Sequence, residues 1–178
     1  MDENPAFLIG GIIMQFTKKG TVLQTNGTPI QVGDQLPAFQ IQNQAGQTVT
    51  ESDLIQRMTL ISVVPNINTP VCSLSTRKFN DEVGKYRNVD FYTVSTNSIE
   101  EQQKWCALSN VSQMQMLSDR DHDFGEKMGL WIKDAGIDAR SVWVIDSDGK
   151  VIYCELVKEL SHEPNYDQVL EFLQNHQN

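Results

Sequence analysis

The sequence predicts an α/β domain, a mixed central sheet flanked by helices with a β-hairpin near the N-terminus. Three patterns predict it. Apolar runs of strand length alternate with amphipathic segments through the middle of the chain. A strand pair bounds the turn Asp146-Ser147-Asp148-Gly149, and a last segment carries Tyr166, Val169, Leu170 and Leu173 on one helical face.

Taken in order, Thr21–Gln24 and residues 29–32 flank Asn26-Gly27, a dipeptide that favours a tight hairpin turn. Residues 39–42 and Thr48–Thr50 form a second pair across Gln44-Ala45-Gly46. Residues 58–64 (MTLISVV) suit a buried strand. Val71, Leu74, Phe79, Val83 and Tyr86 then recur near helical spacing. Val89–Ser95 reads as a strand, residues 99–108 as a short helix, 113–117 as a strand and 122–128 as a helical turn or two. Ser141–Ile145 and Val151–Leu156 make the late hairpin, and residues 164–174 the closing helix. No repeat, low-complexity stretch or linker interrupts this, so residues 21–178 are expected to form a single domain.

Residues 1–20 are expected to be an arm. The apolar run 7–16 (FLIGGIIMQF) follows Asp2 and Glu3 where a signal peptide would be positive, and no small-residue cleavage site follows it. It is too short to cross a bilayer. The expected address is therefore cytoplasmic, with a processed leader as the alternative.

A net charge of −9 argues against nucleic acid, which needs clustered Lys and Arg. Three cysteines are too few, and odd in number, for a secreted disulfide framework. The sequence has neither Cys-x-x-Cys nor His-x-x-x-His spacing, so it carries no metal signature.

The chemistry concentrates where the apolar strand gives way to the amphipathic helix, at Pro65-Asn66-Ile67-Asn68-Thr69-Pro70-Val71-Cys72. Thr69 suits an N-cap, and Pro70 suits the first helical position, where its missing N–H costs nothing. Cys72 then falls in the first turn, its sulfur near unpaired N–H groups and the positive end of the helix dipole. That environment favours a thiolate. Ionisation cannot be the whole of a fast reaction: a free thiol is roughly 3% ionised at pH 7, so full ionisation gains only about 30-fold. Further acceleration needs groups that orient a substrate and stabilise a leaving oxygen, for which the Thr69 hydroxyl and a nearby Arg are suited. From these residues alone Cys72 is equally an inert buried thiol at a helix start.

Pro65-x-x-x-Thr69-x-x-Cys72 resembles the active-site motif of the peroxiredoxins. Residues 65–80 (PNINTPVCSLSTRKFN) resemble, more narrowly, their bacterial thiol peroxidase subfamily. The likeness continues through Leu117-Ser118-Asp119, Phe124-Gly125, Ala139-Arg140-Ser141-Val142, Val144-Ile145-Asp146 and residues 159–166 (ELSHEPNY). The resemblance implies a thioredoxin-like fold and a thiolate that attacks a hydroperoxide, becoming a sulfenic acid. By position Cys72 would be the attacking thiol, and Thr69 would hydrogen-bond in the pocket. Arg140 would supply positive charge, and Pro65 would shape and shield the site. Cys106, 34 residues beyond Cys72, would be the resolving thiol that closes an intramolecular disulfide.

The resemblance further implies hydrogen peroxide and organic hydroperoxides as substrates, a thioredoxin-type dithiol as reductant, a homodimer, no cofactor, and no nucleic-acid or membrane partner. Residues 97–101 depart from the apolar, proline-containing pattern of the subfamily. Read alone, Arg140 is a solvated strand end, and Cys106 and Cys154 are small packing residues. Two rival functions use the same residues, a peroxide-responsive redox sensor or binding module and a non-catalytic scaffold.

Overall fold

The computed structural model describes residues 14–176, together with the backbone of the short antiparallel pair β1 (Phe7–Leu8) and β2 (Gly11–Ile12). The expected arm therefore falls partly outside the described residues. The first hairpin joins β3 (Gln15–Lys18) to β4 (Thr21–Gln24). Lys19 and Gly20 both have positive φ, 50° and 87°, the geometry of a two-residue turn matched to strand twist.

The hairpin thus lies one segment earlier than Asn26-Gly27 suggests. Asn26 is occupied elsewhere: its Nδ2 donates to Glu126 O at 3.0 Å, and its Oδ1 accepts from Trp131 N at 3.2 Å. Those bonds dock residues 25–30 on the body of the protein and leave no partner strand at 29–32. Phe16, within the expected arm, is fully buried in the core.

The central sheet has seven strands. Along the chain β5 (Gln40–Asn43) and β6 (Thr48–Thr50) lead through α1 (Glu51–Leu54) to β7 (Met58–Val63), α2 (Pro70–Glu82) and β8 (Val89–Ser95). Next come α3 (Ile99–Ser109), β9 (Gln115–Ser118), α4 (Asp123–Met128) and the small pair β10 (Trp131–Ile132) and β11 (Ile137–Asp138). β12 (Ser141–Ile145), β13 (Val151–Leu156) and α5 (Tyr166–Asn175) complete it.

The spatial order is β13-β12-β7-β8-β9-β5-β6. β7, β8 and β9 are parallel and the outer pairings antiparallel, so the sheet is mixed as expected. Because side chains alternate along a strand, the sheet separates two cores. Leu60, Phe91, Met116 and Val144 meet Phe79 of α2, Trp105 of α3 and Leu173 of α5 on one face. Ile61, Val94, Leu117 and Trp143 meet Leu54, Phe124, Met128 and Phe16 on the other.

On this second face, Asp119 and Asp138 are buried side by side beneath Gly125. Asp119 accepts from Phe124 N and Gly125 N at 3.0 and 2.8 Å. Neither Asp138 oxygen meets an N–H or hydroxyl donor among the described residues. The two carboxyls hold together by sharing a proton, which desolvation and the Asp119 carboxylate keep on Asp138 by raising its pKa well above the ordinary 3.8. Gly125 is required here, since a Cβ would stand 1.8 Å from Asp138 Oδ1.

Candidate active site

β7 ends in the sheet's parallel centre, and the chain turns through residues 64–69 into α2. Thr69 is the N-cap residue in extended conformation, Pro70 opens the helix, and the first helical bond runs from Ser73 N to Thr69 O at 2.9 Å. Cys72 therefore stands in the first turn, as expected, and is fully buried. Its Sγ accepts from Asn66 N at 3.5 Å and from Arg140 Nη2 at 3.2 Å.

Thr69 differs from expectation in one respect. Its hydroxyl donates back to Asn66 O at 2.9 Å, so in this state it braces the loop that presents Asn66 N to the sulfur. Pro65 is buried directly before that loop.

Arg140 precedes β12 and is not a solvated strand end: it is 3% exposed. Nε and Nη2 both donate to Leu160 O, at 3.0 and 2.8 Å, and Nη1 finds no partner among the described residues. A buried guanidinium is costly without a counter-charge. No carboxylate among the described residues forms an ion pair with it. Among the described residues, the one group at hydrogen-bond distance that can carry negative charge is the sulfur of Cys72.

The carbonyl that aims Arg140 is itself fixed. Leu160 N donates to Thr17 O at 2.7 Å, which stitches residues 158–160 to β3. Glu159 accepts from the Ser161 and Thr17 hydroxyls at 2.6 and 2.7 Å and from Lys19 N at 3.1 Å. These bonds hold its carboxyl down at about 2. The N-terminal hairpin thus supports the site through Leu160.

Cys106 lies in α3, half-buried, with Gln44 Nε2 donating to its Sγ at 3.6 Å. Burial raises its pKa, and the Gln44 bond partly offsets this. The helices α2 and α3 touch beside the two cysteines: Trp105 Nε1 donates to Ser73 Oγ at 3.2 Å, and Arg77 Nη2 to Ser109 Oγ at 3.4 Å. Both thiols are free and face different partners. Cys154 is a packing residue of β13 whose thiol burial pushes up to about 12.

The structure brings Pro65, Thr69, Cys72 and Arg140 together and sets Cys106 one helix away. Three contributors were not singled out from the sequence. They are the backbone N–H of Asn66, the carbonyl of Leu160 and the side chain of Asn97, which accepts from Ile67 N at 2.8 Å and donates to Asn66 Oδ1 at 3.1 Å in the loop before Cys72. The first two act through main-chain atoms, which residue identity does not report.

The AhpC/TSA family profile matches residues 32–154. A curated thiol peroxidase of Bacillus subtilis (strain 168) is 39% identical over 158 residues, covering 88% of this chain and 95% of that protein. Among solved structures, a peroxiredoxin-like protein from Aquifex aeolicus superposes with a TM-score of 0.85 at 31% identity, over 92% of this chain and 98% of that one. A thiol peroxidase from Chromobacterium violaceum gives 0.82 at 16% identity, over 91% and 96%, and so speaks for the fold alone.

Proposed function

The chain belongs to the AhpC/TSA family, and we propose that Cys72 and Cys106 divide between them the two halves of its thiol-dependent peroxide reduction. The protein is a peroxiredoxin with a thioredoxin-like fold and thiol peroxidase activity. In the first half, the Cys72 thiolate attacks one oxygen of a hydroperoxide and the O–O bond breaks. Sulfur keeps the hydroxyl as a sulfenic acid, and the other oxygen leaves to be protonated as water or alcohol. In the second half the Cys106 thiolate attacks Cys72 Sγ. An S–S bond forms, the S–O bond breaks and the oxygen departs as water.

The observation that carries this reading is the buried Arg140–Cys72 contact. The guanidinium supplies the counter-charge for a thiolate. Its other terminal nitrogen, Nη1, has no partner among the described residues, which leaves a donor on the same guanidinium for an oxygen. Removing a preorganised donor of this kind typically costs about 10²–10³ in rate. Because Cys72 is fully buried, peroxide reaches it when residues 65–69 give way, a local motion that breaks the bonds of Asn66 and Ile67 to their neighbours.

The disulfide needs a reductant, for which a thioredoxin-type dithiol is the fitting class. A homodimer and a cytoplasmic address belong to the same reading; no helix among the described residues is long and apolar enough to cross a membrane. The sensor alternative uses the same thiols but does not require repeated turnover. Peroxide consumption supported by a thioredoxin system tests this. Wild type should turn over many equivalents, Cys72→Ser none, and Cys106→Ser should stop after about one. A single turnover by wild type with the full reductant present would favour the sensor.

A further inference from the structure

Disulfide closure requires the two Cα atoms to come within about 7 Å. Cys72 is held by Arg140 and Asn66 N, and Cys106 by Gln44. Forming the S–S bond takes at least one sulfur from these partners, and the loop before Cys72 or the first turn of α3 is what can move with it. The side chain of Asn97 is bonded to both segments.

Asn97 sits between β8 and α3 and is 8% exposed. Its Oδ1 accepts from Ile67 N at 2.8 Å, and its Nδ2 donates to Asn66 Oδ1 at 3.1 Å, both in the Cys72 loop. The same Nδ2 donates to Glu101 Oε2 at 3.2 Å, in the first turn of the helix that carries Cys106. Glu101 is meanwhile half of the capping box with Ser98, which holds that turn together. The Asn97 backbone is anchored from the opposite side, its carbonyl accepting from Ser118 Oγ. An amide pinned at its base thus grips two elements, one for each cysteine.

Taking the assignment of Cys72 and Cys106 above as given, we propose that Asn97 is a positioning residue that latches the Cys72 loop to the Cys106 helix. In doing so it sets the speed of disulfide closure against over-oxidation. Movement of the loop breaks the bonds to Asn66 and Ile67, and movement of the helix end breaks the bond to Glu101. With the latch closed, the sulfenic acid waits beside Arg140. A second hydroperoxide can then oxidise it to a sulfinic acid, releasing water or alcohol, before Cys106 arrives. Both side chains of the latch, Asn97 and Glu101, lie in the polar segment that leads into the helix of the second thiol. Burial of the Cys106 thiol in α3 acts in the same direction, since a thiol attacks only as its thiolate.

The test compares wild type, Asn97→Ala and Asn97→Asp by stopped-flow tryptophan fluorescence, with intact mass after graded hydrogen peroxide. Loosening the latch by two or three hydrogen bonds should speed the later, Cys106-dependent phase about tenfold. The peroxide concentration that half-converts Cys72 to sulfinic acid should rise in the same proportion. Asn97→Asp keeps the acceptor for Ile67 N but loses both donor bonds, so it should show the same direction while preserving the loop. It also carries the test if Asn97→Ala folds poorly.

Ile132→Val, in the core across the sheet, provides a comparison at matched loss of Tm and should move neither readout. A later phase in both Asn97 variants that is unchanged, slowed, or moved no further than in Ile132→Val overturns the latch. A wild type with no Cys72-dependent phase overturns the underlying assignment and the latch with it; a normal wild type confines failure to the latch.

Discussion

Stability should fall as pH rises, through a single proton held between Asp119 and Asp138. The perturbation that isolates it is Asp138→Asn. In the native protein Asp138 is fully buried, meets no N–H or hydroxyl donor among the described residues, and keeps its proton well above the ordinary carboxyl range because of desolvation and the Asp119 carboxylate. In the unfolded chain it ionises near 3.9. Between that pH and the raised native value, the native state binds one proton more than the unfolded state. Unfolding free energy therefore drops by about 1.4 kcal/mol for each pH unit gained. The substituted amide donates to Asp119 at every pH and removes this slope.

The assay is urea unfolding of both proteins from about pH 5 to pH 9. The variant-minus-wild-type difference cancels the other titrating groups. It should climb with pH at about 1.4 kcal/mol per unit, then level where Asp138 ionises in the native wild type. A difference that is flat across this range would refute the shared proton.

Arg140→Met should lower the peroxide rate constant by about 10²–10³-fold while shifting stability by about 2 kcal/mol or less, since relief of a buried charge opposes the loss of its bonds to Leu160; stopped-flow kinetics and urea unfolding read the two separately. In Cys106→Ser the sulfenic acid has no internal partner, and intact mass should show conversion to sulfinic acid at lower peroxide than in wild type. The wild-type closing phase should speed up with pH through the ordinary thiol range and beyond, because burial raises the Cys106 pKa. Gly125→Ala should cost about 3 kcal/mol or more in urea unfolding, since its Cβ would collide with Asp138 Oδ1.

The strands and helices that build the central sheet were legible because each advertises a period. Residues 58–64 and Val89–Ser95 are strand-length stretches rich in β-branched, aromatic and other apolar residues, and both lie in the buried parallel centre. The Thr69-Pro70 start of α2 was legible from backbone rules alone, and with it the position of Cys72. The first hairpin was misplaced because Asn26-Gly27 is a stronger turn signal than Lys19-Gly20. What decided between them was long-range bonding of Asn26 to Glu126 and Trp131, which no local window contains. α1, four residues long, carries too little periodicity to be read.

Of the site, Arg140 could be placed only by resemblance, because its burial depends on a carbonyl 20 residues later and a hairpin more than 120 residues earlier. Asn97 had a signal without a meaning: a polar residue in a segment expected to be apolar. Its role emerges only when the loop and the helix are seen on either side of it.

What separates a peroxidase from an inert fold is whether the Cys72 sulfur, with Arg140 beside it, attacks peroxide or is only a buried thiol. The most direct measurement is the second-order rate constant for reduced protein with hydrogen peroxide, followed by tryptophan fluorescence in wild type and Cys72→Ser. Ionisation alone gives at most about 30-fold over a free thiol, and a positioned donor adds about 10²–10³. The constant should therefore exceed that of a free thiol at the same pH by about 10³-fold or more, and be lost in Cys72→Ser. A wild-type constant no better than that of a free thiol, or one that survives Cys72→Ser, would contradict attack by Cys72.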